Sequence, residues 1–93
     1  MPNALHRHQY KIFRELLIEA RESAAMTQTE VARKLSRPQS FVSKYERGER
    51  RLDMTEFIEV ADVLGINLSE FMQRYREQVS SEMLTKTHGF ATS

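Results

Sequence analysis

The sequence predicts an all-α fold, a single bundle of five helices. Apolar residues recur at helical spacing in five segments, and no segment alternates polar and apolar residues as a strand would. Three segments open with a capping signature: Thr27-x-x-Glu30, Asp53-x-x-Glu56 and Asn67-x-x-Glu70. The connections between segments are only about two to six residues long, which suits neighbouring helices in one bundle. A chain of 93 residues, 40% hydrophobic, has enough apolar surface for one core and too little for two.

The first helix is expected from about Arg7 to Ala24, with Tyr10, Phe13, Leu17, Ala20 and Ala24 on one face. Arg14, Glu15 and Glu22 fall elsewhere and read as solvated. The second starts at Thr27, whose hydroxyl caps it, and turns Val31, Ala32 and Leu35 inward. The third begins near Pro38, which is tolerated in a first turn because that N–H has no partner there. It stops at Gly48, suited to a left-handed end. The fourth follows Asp53, buries Phe57, Val60, Ala61 and Leu64, and ends at Gly65. The fifth opens at Asn67 and carries Leu68, Phe71, Met72, Tyr75, Val79 and Met83 at helical spacing, with fraying expected after Glu82. This gives one domain over residues 1–84 with an extended last helix, and a flexible tail over 85–93.

Net charge is only +1, but it is unevenly placed. From Gln28 to Arg51 seven bases face three acids, and from Leu52 to Glu82 two bases face seven acids. One basic end and one acidic end fit a protein that meets a polyanion in one orientation. The absence of cysteine removes disulfides and thiolate zinc sites and suits a cytoplasmic setting. No run of about 18 apolar residues is present for a membrane span. His6 and His8 form an H-x-H with no third ligand nearby in sequence, so a disordered basic N-terminus is preferred to a metal site. No nucleophile motif, glycine-rich phosphate loop or paired acids point to an enzyme or to a cofactor.

The stretch Thr27–Gly48 reads as two short helices joined by a tight turn, the second short of acids and rich in side chains that reach base edges. With TQTEVA at Thr27–Ala32, VSKYERG at Val42–Gly48 and LGINLSEF at Leu64–Phe71, the chain resembles the phage-repressor/Cro-like (Xre-type) helix-turn-helix family. The likeness covers roughly Tyr10 to Met72 and implies a five-helix, lambda-repressor-like bundle.

The resemblance implies roles for particular residues. Gln39, Ser40, Ser43 and Lys44 would enter the major groove, with Val42 and Tyr45 turned to the core. Phe41 is open between a thymine-methyl contact and packing within the protein. Gln28 would meet a phosphate at the start of the second helix, and Arg37, Arg47, Arg50 and Arg51 would grip the backbone on either side of the third. Arg21 and Glu46 would form a partly buried structural ion pair. Ser36 stands where the family usually has glycine. Either it adopts a positive φ at a cost of about 1 kcal/mol, or it caps the third helix through Ser36-x-x-Gln39.

The implied function is a sequence-specific transcriptional regulator of double-stranded DNA, most simply a repressor acting as a homodimer on a palindromic operator. Val79, Met83 and Leu84 are the dimer candidates, with packing onto the first helix as the alternative. The residues leave open a protein partner instead: an antitoxin that neutralises a basic toxin, or a transcriptional adaptor.

Overall fold

The computed structural model describes the backbone of residues 2–91 and the side chains of residues 8–82. The order is α1 (Pro2–Ser23), α2 (Gln28–Leu35), α3 (Gln39–Arg47), α4 (Met54–Leu64) and α5 (Leu68–Ala91), with no strand among the described residues. The core gathers Ile12, Leu16 and Leu17 of α1, Val31 and Ala32 of α2, Phe41, Val42 and Tyr45 of α3, and four residues of α4. Phe71 of α5 closes it, and Phe13 joins Phe57 and Phe71 in an aromatic cluster with centroid separations of 5.2–5.9 Å.

The caps follow from local sequence. Thr27 Oγ1 accepts the Glu30 N–H while Glu30 accepts the Thr27 N–H at 2.8 Å, and Asp53 and Glu56 repeat the arrangement on α4. Gly48 and Gly65 end α3 and α4 in the left-handed region. Ser36 takes the strained option: it ends α2 at φ 57°, with its N–H directed to Ala32 and Arg33 carbonyls. It does not cap α3, which starts after Pro38 with no side-chain cap.

Several boundaries and faces differ from expectation. α1 starts at Pro2, so the segment containing His6 and His8 is helical rather than disordered. Its buried line is Ile12, Leu16 and Leu17, with Phe13 and Ala20 alongside. Because residues 12, 13, 16, 17 and 20 are all apolar, helical spacing alone does not reveal the centre of so wide a stripe. α5 continues to Ala91, past the fraying expected after Glu82 and into the segment read as a tail. On α5, Leu68 and Met72 are exposed while Phe71 is buried and Tyr75 is partly so, because the bundle covers one side of this helix only. Val79 packs against the protein's own core, and the side chains of Met83, Leu84 and His6 lie outside the described residues.

Candidate nucleic-acid interface

α3 places its residues according to a simple helical division. Val42 and Tyr45 face inward, while Gln39, Ser40 and Lys44 are exposed and Ser43 is half-buried beside them. The Ser43 hydroxyl donates back to the Ser40 carbonyl at 3.3 Å. Phe41 does not share this outer face. It is 8% exposed and meets the Tyr45 ring edge-on at 5.6 Å. The guanidiniums of Arg37 and Arg50 cover it at 4.5 and 4.8 Å from the ring centroid. A thymine-methyl contact by Phe41 is therefore set aside: its apolar surface is already removed from water by α3 and the two arginines.

A chain of hydrogen bonds runs from α1 to the exposed end of α3. Glu46 is 5% exposed, and its carboxylate accepts Arg21 Nε at 2.7 Å and Nη2 at 3.1 Å. Arg21 Nη1 also donates to the Met26 carbonyl at 2.9 Å, and the Glu46 hydrogen bond holds the guanidinium protonated beyond its ordinary range. Glu46 Oε1 accepts Gln28 Nε2 at 2.8 Å, and Gln28 Oε1 accepts Gln39 Nε2 at 2.8 Å. The polarity is forced. A carboxylate only accepts, so Gln28 must turn its amide nitrogen inward and its oxygen outward, which obliges Gln39 to donate. Gln39 is left with a free amide oxygen and a second N–H, both at the exposed end of α3.

Arg14, which the sequence assigned to solvent, braces this chain. Arg14 Nη1 donates to the Glu46 carbonyl at 2.8 Å, satisfying the end of α3. Its side chain lies so close to Gly48 that a Cβ there would sit 2.9 Å from Arg14 Nε. The φ of 80° is what calls for glycine at 48, and a Cβ there would in addition make the Arg14 side chain shift. Arg14 and Arg21 are two helical turns apart, and that spacing was the available signal. Tyr10 holds the loop after α3, its hydroxyl accepting the Leu52 N–H at 3.1 Å while Arg51 lies over its ring at 4.4 Å.

The basic residues fall into two groups. Arg33, Lys34 and Lys44 are exposed, and with Arg51 they form no ion pair among the described residues. Arg37 lies 3.7 Å from Glu56 and 4.0 Å from Glu59, Arg47 pairs with Glu49 at 2.9 Å, and Arg50 pairs with Glu56 at 2.7 Å. The Arg50 hydrogen bond, followed by that from the Asp53 backbone, pulls the Glu56 carboxyl down to about 2. His8 lies 2.8 Å from Glu82, tying α1 to α5, and no group of three metal-ligating residues occurs among the described residues.

Comparison with known proteins agrees with this geometry. The family model described as Helix-turn-helix matches residues 17–71, which is more than half of the chain and includes α2, α3 and α4. The chain belongs to the Xre-type helix-turn-helix family. Among solved structures, an XRE-family like protein from Pseudomonas syringae pv. tomato str. DC3000 is 39% identical, with a TM-score of 0.77. The match covers 82% of this chain and 93% of that one. No curated protein matches the sequence. The family is one of DNA-binding transcriptional regulators, and no helix among the described residues is long and apolar enough to cross a membrane.

Proposed function

We propose that this protein is a sequence-specific transcriptional regulator that places α3 in the major groove and represses by occluding a promoter. The observation that carries this reading is the Arg21–Glu46–Gln28–Gln39 chain, which ends in an exposed amide of fixed polarity. An amide oxygen and an N–H side by side match the N6 donor and N7 acceptor of adenine. Ser40, Ser43 and Lys44 read neighbouring bases, Lys44 favouring guanine. Gln28, the first residue of α2, stands where free helix N–H groups attract a phosphate. Arg51 and the exposed Lys34 add backbone contacts after and before the reader.

One such module reads too few bases for high specificity, so a homodimer on a palindrome is the functional unit, with half-sites about 34 Å apart. We assign the dimer contact to the apolar strip of Met54, Leu68 and Met72, exposed at 65, 38 and 48%. This strip borders a groove of about 400 Å³ lined in part by Phe57, Phe71 and Tyr75. Val79 is already occupied within its own protomer.

Selection of bound sequences from random duplex DNA tests the reading. A palindromic site is expected, and Gln39→Ala should cost about 1–3 kcal/mol at one base pair of each half-site. Arg51→Ala should weaken all sequences alike and flatten the salt dependence by about one unit. Retention of the full sequence preference in Gln39→Ala would overturn the assignment of the reader.

A further inference from the structure

The two arginines that bracket α3 in the chain, Arg37 before it and Arg50 after it, converge on a single carboxylate. Arg50 donates from Nη1 to Glu56 Oε1 at 2.9 Å and from Nη2 to Oε2 at 2.7 Å, and Arg37 Nη1 lies 3.7 Å from Oε2. Both guanidiniums also rest against the Phe41 ring. The Glu56 side chain is 12% exposed, against 36% for Arg37 and 39% for Arg50, so the carboxylate is set deeper than the cations it holds. It is also fixed from the other side, because its Oε1 accepts the Asp53 N–H at 3.0 Å in the α4 cap. Glu56 can therefore swing away from an approaching phosphate only by giving up its hydrogen bond in the α4 cap.

From this arrangement we infer that Glu56 is a specificity-determining residue that acts through Arg37 and Arg50, restraining attraction to DNA of arbitrary sequence. The inference rests on the DNA-binding reading above. Binding to random duplex is governed almost wholly by cationic charge that reaches the phosphates, whatever the geometry. Glu56 cancels one of the two charges that flank the reader and engages part of Arg50's donor set. Loose, sequence-independent contact is weakened accordingly. At the correct site the balance differs. There the guanidiniums are needed at defined places, and a carboxylate that already holds them spares the ordering of two long side chains on binding. Charge lost and order gained offset each other in the specific complex, whereas only the charge matters in the non-specific one.

The test compares the intact protein with Glu56→Gln, a change that keeps the side-chain shape and the acceptor for the α4 cap. Affinities are measured by fluorescence anisotropy, over a salt series, for a random duplex and for the best sequence from selection. Glu56→Gln should bind random duplex about threefold more tightly at low salt, with log K against log salt steeper by about one unit. Its preference for the selected site over random duplex should fall by a similar factor. Glu59→Gln, outside the cap and 4.0 Å from Arg37, should move in the same direction by less. It provides the readout if Glu56→Gln loses helicity by circular dichroism. Glu77→Gln on α5 makes the same change in net charge away from these arginines and should leave the preference intact. Equal effects from Glu77→Gln and Glu56→Gln, or an unchanged salt slope and preference in Glu56→Gln, would overturn the inference while leaving the DNA-binding reading in place. Failure of the unaltered protein to bind any duplex would remove both.

Discussion

At Glu46 one carboxylate takes hydrogen bonds from Arg21 and Gln28 in a nearly dry setting, and its own carbonyl is held by Arg14. Removing one partner of a buried pair leaves a charge without compensation, which typically costs more than the intact pair contributes. Arg21→Met should therefore lower unfolding free energy by about 3 kcal/mol in urea melts. The same change should blur selectivity at the Gln39 base pair, since Arg21 holds in place the Glu46 carboxylate from which the Gln28 and Gln39 amides are oriented. Titration is a second residue-scale expectation. Hydrogen bonds from Arg50 and the Asp53 backbone hold Glu56 near 2, against an ordinary 4.5. Thr27 lowers Glu30, and Arg47 lowers Glu49. A carboxyl lowered by folding binds its proton more readily in the unfolded chain, so its contribution is complete above about pH 4.5 and falls as pH drops through the folded value. Urea midpoints should decline from pH 4.5 toward 2, and Glu56→Gln should flatten that decline.

At the scale of elements, the helix ends are where local chemistry is most and least favourable. α2 and α4 each begin with a reciprocal cap, while α3 begins with none and depends on the turn before it. That turn is carried by Ser36 at φ 57°, a conformation that crowds a Cβ. Ser36→Gly should relieve the crowding and raise stability by about 0.5–1 kcal/mol, measured as a shift in urea midpoint at unchanged slope. A fall in stability would mean that the Ser36 side chain contributes something beyond its backbone conformation. The capping boxes and the glycine stops were legible in the sequence because each depends on residues within four positions of one another. The centre of the α1 stripe and the outward turn of Leu68 and Met72 were not, since they depend on which neighbour covers which side of a helix.

For the whole molecule, the four large hydrophobic side chains left exposed among the described residues, Met54, Ile58, Leu68 and Met72, all lie on α4 and α5. The exposed bases Arg33, Lys34 and Lys44, which form no ion pair among those residues, gather on α2 and α3, with Lys11 and Arg76 the like cases on α1 and α5. A molecule divided in this way can meet DNA with one pair of helices and a second copy with the other. If the apolar strip holds the dimer, Met72→Glu should give a monomer by sedimentation equilibrium. It should weaken binding to the full palindrome far more than binding to an isolated half-site. A dimer that survives Met72→Glu would move the contact elsewhere on the molecule.

The sequence by itself determined the helix order, the caps of α2 and α4, the inward turn of Val42 and Tyr45, and the candidate pairing of Arg21 with Glu46 that family resemblance suggested. The helix order and the caps are matters of short spacing and helical period, whereas the inward turn of Val42 and Tyr45 and the Arg21–Glu46 pairing were implied by the resemblance, through the order of its motifs along the chain. Tertiary structure alone decided that Phe41 lies under Arg37 and Arg50, and that Glu56 serves both an α4 cap and those arginines. It also decided that Arg14 leaves solvent to close the end of α3. Each of these depends on groups brought together from different helices, and the polarity of a side chain does not say which other helix it will meet.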